Sequence, residues 1–70
     1  MRYSRGLEYA SLLLAREPES VMGLQFQLQF AGILGFDELR EDATNRLRTL
    51  RDAGRLNRQE EYNLQLFTNE

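Results

Sequence analysis

The stretch Leu24-Gln25-Phe26-Gln27-Leu28-Gln29-Phe30 decides the fold, because it carries two competing periods at once. Read with a period of two, it alternates apolar and polar residues strictly, the signature of a strand with one apolar face. Wound as a helix, it sets Leu24, Leu28 and Ala31 on one side. Phe26, Phe30 and Ile33 then fall on nearly the opposite side, with the glutamines between. A helix of that kind must be central, held by neighbours on two faces. The apolar pattern runs from Val21 to Leu34, longer than a typical strand, and this length favours the helix.

Working outward, turn residues divide the chain into four pieces. Upstream, Ser4 is placed to cap a first helix that runs to about Arg16. Pro18 stops it, because proline cannot continue the hydrogen-bond ladder, and Pro18 can equally occupy the first turn of the next helix. Downstream, Gly32 and Gly35 punctuate the end of the second segment. Asp37 and Glu38 open a third helix with negative charge at its positive end, and Gly54 is a natural left-handed stop for it. Phe36, Leu39, Ala43, Leu47, Leu50 and Ala53 recur every three or four residues and so share one face. Asp42 with Arg46, and Arg48 with Asp52, stand four apart on the outward side and are able to pair. Asn57, with Glu60 three residues on, has the form of a capping box at the start of a short fourth helix. The expected fold is a single all-α domain over residues 1–70, with helices at roughly 4–16, 19–34, 37–53 and 58–67.

A chain of 70 residues buries only ~60% of the surface its unfolded form exposes, so its margin of stability is thin. Small domains offset this with disulfides, a metal or a partner subunit. This chain has no cysteine and no histidine, which leaves association as the favoured remedy and a dimer as the expected state. It also has no lysine, so nine arginines carry all the side-chain positive charge, and none of them shuttles protons near neutral pH. Ser4, Ser11 and Ser20 have no base to activate them. The inventory therefore argues against an enzyme and against any cofactor or metal. The acidic group Asp37, Glu38, Glu41 and Asp42 lacks the spaced oxygens and turn glycine of a calcium loop. No apolar run reaches membrane-spanning length or the size of a signal core, so a soluble cytoplasmic protein with no membrane contact is expected.

The apolar residues are unevenly shared. Counting Val, Ile, Leu, Met, Phe and Tyr, residues 3–36 hold 15 and residues 37–70 hold 8. The first helix has one stripe of Tyr3, Leu7, Ala10 and Leu14 and another of Tyr9, Leu12 and Leu13. One small core does not readily cover both, and an uncovered apolar face marks an interaction site. Tyr9, Leu12, Leu13, Phe26 and Phe30 are the candidate protein-binding set. Net charge is −2, which argues against bulk attraction to nucleic acid. Residues 46–58 nonetheless hold Arg46, Arg48, Arg51, Arg55 and Arg58. On a continuous helix Arg48, Arg51 and Arg55 would line one side. The block is the candidate charged rim of a protein interface or, less favoured, a phosphate-gripping surface, against the plainer reading of helix-dipole complementarity.

Residues 47–66 resemble the short C-terminal helical hairpin known as SHOCT, through Leu47 and Leu50, Gly54 at the turn, Leu56, Asn57 and Glu60. Glu61 stands here before Tyr62, where that family's aromatic follows its glutamate directly. The resemblance implies an interaction or oligomerisation role without catalysis. On the strand reading, Gln25, Gln27 and Gln29 followed by two helices is similar to ribbon-helix-helix repressors, with a strand at 24–30 and an added N-terminal helix. That resemblance implies strands paired across a dimer and polar side chains in the major groove. The favoured function is a small non-enzymatic regulator or adaptor that binds protein, of the kind a phage or plasmid inhibitor represents. The alternative is a dimeric DNA-binding transcriptional repressor.

Overall fold

The computed structural model describes residues 2–68 and resolves the competing periods in favour of the helix. The helices among these residues are α1 (Arg2–Arg16), α2 (Val21–Leu34), α3 (Asp37–Asp52) and α4 (Arg58–Thr68). No strand occurs among the described residues, and residues 24–30 lie wholly inside α2. Residues 24–30, the strand segment of the ribbon-helix-helix reading, are thus helical in this single chain.

Local chemistry sets the boundaries. α1 begins at Arg2, so Ser4 sits within its first turns and is not its cap. The side chains of Arg2 and Tyr3 lie outside the described residues, so the Tyr3 end of the inner stripe is not placed. After Arg16, Pro18 occupies a turn closed by Ser20 N–H on Glu17 O at 2.9 Å, where a proline's fixed φ suits the first central position. Pro18 is thus outside α2, whose cap is Ser20: its Oγ accepts from the Gly23 N–H at 3.1 Å. The ends of α2 and α3 share one device. Gly35 (φ 78°) and Gly54 (φ 73°) are left-handed, letting Phe36 N–H reach back to Ala31 O and Arg55 N–H to Leu50 O, both at 2.9 Å. Gly32 lies within α2 and ends nothing. At α4 the expected capping box forms in both directions. Asn57 Oδ1 accepts from Glu60 N–H, and Glu60 Oε1 accepts from Asn57 N–H, each at 2.8 Å.

Helix α2 is the central element, packed against α1, α3 and α4, while α3 also touches α4. The core lies on the α3–α4 side of α2, where Leu24 and Leu28 meet Ala43, Leu47, Leu50, Leu56 and Leu64. Leu14 and Val21 close it at the edge. The opposite face of α2 meets α1, as the two-sided pattern requires. Tyr9 and Phe26 rings stand 5.9 Å apart and Phe26 and Phe30 rings 6.0 Å, all tilted. Ile33, grouped with those phenylalanines by spacing, is instead half exposed at the end of α2. The apolar face of α3 is buried only in its middle. Ala43, Leu47 and Leu50 are enclosed, whereas Phe36, Leu39 and Ala53 lie towards solvent.

One buried polar group ties the layers together. Gln27 is only 8% exposed, and its Nε2 donates to Leu39 O at 2.7 Å and to Asp42 Oδ2 at 3.4 Å. The other Asp42 oxygen pairs with Arg46 Nε at 3.3 Å, as the four-residue spacing predicts, and Asp52 pairs with Arg51 at 3.4 Å. The three glutamines consequently do not form a row: Gln27 is buried, Gln25 half-buried and Gln29 exposed.

Candidate protein-binding surface

Among the described residues, α1 packs against α2 and against no other helix. One face of α1 is therefore covered and the other is not. The covered face carries Ala10, which is fully buried, and Gly6, which lies beneath the Phe30 ring. Gly23 of α2 receives Leu13 and Leu14 in the same manner, with Leu14 atoms 3.1 Å from where a Cβ would stand. Two glycines thus let the helices approach closely.

The uncovered face carries Tyr9, 52% exposed, and Leu12, 67% exposed. They line a shallow depression together with Leu13, Ala15 and Arg16. Of the five candidate binding residues, Tyr9, Leu12 and Leu13 thus share one surface. Phe26 and Phe30 are half-buried behind it, stacked in line with Tyr9. Their role in that surface is support for Tyr9 more than direct exposure.

The arginine block is not a single stripe. Helix α3 ends at Asp52, and beyond it Arg55 follows the left-handed Gly54. Arg46 faces a groove with Pro18, Glu19, Thr49 and Leu50, whereas Arg48 lines a different, polar groove with Arg40, Thr44, Asn45 and Thr68. Arg51 sits beside Asp52, and Arg58 opens α4. Arg55 pairs with Glu19, clasping the α1–α2 turn to the α3–α4 connection. The arginine that borders the Tyr9–Leu12 surface is Arg16, which the block does not include.

A second apolar area has no counterpart among the sequence-based candidates. Ile33, Leu66 and Phe67, all well exposed, line a shallow groove with Leu28, Gly32 and Arg40. Its signal in the sequence is the run Leu64, Leu66, Phe67, which a helix cannot turn wholly inward. Of these three, Leu64 alone is buried.

Four hydroxyls are engaged within their own helices. Ser11, Thr44, Thr49 and Thr68 each donate to the carbonyl four residues earlier. No group of three or more metal-ligating side chains is assembled among the described residues, and no helix there is long and apolar enough to cross a membrane. Comparison with family models, with curated proteins and with solved structures finds no match.

Proposed function

We propose that this chain is a small, non-enzymatic, cytoplasmic regulator or adaptor that binds protein, itself included, through the outer face of α1. The observation that carries the reading is the one-sided packing of α1, which leaves Tyr9 and Leu12 in solvent on a helix that has a single neighbour among the described residues. Aromatic and leucine anchors of this type supply most of the energy of an interface, while charged side chains at the rim mainly steer the encounter. The SHOCT-like hairpin over residues 47–66 supports the same class of role, and a phage or plasmid inhibitor is the kind of protein it fits. The test is Leu12→Asp. Because Leu12 is outside the core, the variant should keep its helical circular dichroism. It should lose self-association in sedimentation equilibrium, or capture of a host protein that the unaltered chain retains. Unchanged association and unchanged capture would overturn the reading.

A further inference from the structure

We infer that the occupant of the α1 surface is a second copy of this chain, paired antiparallel through α1 about a two-fold axis at Leu12. The inference rests on the reading above and names the partner for that surface. Its basis is that the set Glu8, Leu12 and Arg16 on the exposed face of α1 is complementary to itself when reversed. Leu12 is the most exposed large apolar side chain among the described residues and lies at the centre of this face. Glu8 and Arg16, both exposed, stand four residues to either side of it, about 6 Å along the axis in each direction. Tyr9 and Ala15, also exposed, stand three to either side.

A two-fold axis through Leu12 exchanges these positions. Glu8 then comes level with the partner's Arg16 across the seam, and Arg16 with the partner's Glu8, within the reach of an arginine side chain. Tyr9 and Arg16 lie on one flank of the helix, two turns apart, so each Tyr9 ring also gains a neighbouring guanidinium from the other copy. The small Ala15 admits the opposing helix. A parallel pairing would instead set Glu8 beside Glu8 and Arg16 beside Arg16, which like-charge repulsion disfavours. An isologous contact of this sort closes after two copies and leaves no open edge. One helix face is at the small end of specific interfaces, so a roughly micromolar dimer is expected.

The experiment is charge exchange read by sedimentation equilibrium, with circular dichroism as the check on folding. Glu8→Arg and Arg16→Glu should each weaken the dimer about tenfold, since each symmetric contact is altered twice. The double variant carrying both changes should recover most of the loss. Leu12→Cys, in a chain otherwise free of cysteine, should form an interchain disulfide on oxidation, because paired helices bring the two positions within disulfide range. Ser4→Cys, far from the axis, should not. A chain that stays monomeric, a double variant no better than the single ones, or a Leu12→Cys dimer that forms no cross-link overturns the inference. If Leu12→Asp still abolishes capture of a foreign protein in any of those cases, the binding surface stands and only the identity of its occupant has failed. If Leu12→Asp changes nothing, both fail.

Discussion

The Phe30 ring lies directly over Gly6, so that a Cβ built on Gly6 would stand 2.5 Å from the ring edge. Phe30 is in turn packed against Phe26, with ring centroids 6.0 Å apart, so moving it disturbs that pair. Gly6→Ala should therefore act against its own helix propensity. Alanine stabilises a helix interior by about 1 kcal/mol relative to glycine, but forcing the ring aside costs about 1–3 kcal/mol. A net loss of about 1 kcal/mol in urea unfolding is expected from these two terms. A gain in stability would mean that α1 and α2 are not in this close register.

Gln27 is a polar residue at an apolar position, and its value lies in the bond to α3. Gln27→Ala removes the donor and leaves a gap beside Leu39 and Asp42, for an expected loss of about 2 kcal/mol. Gln27→Glu should be worse, by about 3 kcal/mol or more, because it sets a buried carboxylate against a carbonyl and the Asp42 carboxylate. Chemical denaturation of the two variants gives the order. If glutamate were tolerated as well as alanine, the contact to Asp42 would not exist in solution.

The reciprocal cap at α4 predicts coupling. Asn57→Ala should cost about 1 kcal/mol and Glu60→Ala somewhat less. Since each side chain satisfies a backbone N–H of the other residue, the double variant should lose less than the sum of the two. By contrast, Arg55→Gln removes a cross-molecule ion pair whose members are both more than half exposed. Its effect should stay under about 0.5 kcal/mol, because water screens such pairs. Thermal melts of the four variants separate the local cap from the surface clasp.

Helix α1 should be the first part to open. It has one neighbouring helix among the described residues, whereas α2 has three. Amide hydrogen exchange at dilutions where the chain is monomeric should therefore be fastest in residues 7–16. Protection should be greatest around Leu24 and Leu28. Protection of α1 that rises with protein concentration is the expected sign of the paired surface.

The features legible in the chain alone were those whose physics is local. Asn57 with Glu60, the left-handed Gly54 and the acids at the start of α3 act within a few residues of themselves, so their positions were readable without knowing any neighbour. The two-faced pattern of Val21 to Leu34 likewise required a central helix once wound, and Leu24 and Phe26 do face opposite partners. Alternation at 24–30 was ambiguous because side-chain period alone does not count neighbours; packing on two sides selected the helix. Only the tertiary structure decided that Gln27 points inward to Leu39 O, since that depends on α3 arriving twelve residues later. It also decided that Arg46 and Arg48 line different grooves, because α1–α2 turn residues border one and the end of α4 borders the other. And it decided how much of α1 goes uncovered: an amphipathic pattern states which side chains avoid water, but the number of helices available to cover them is a property of the assembled chain.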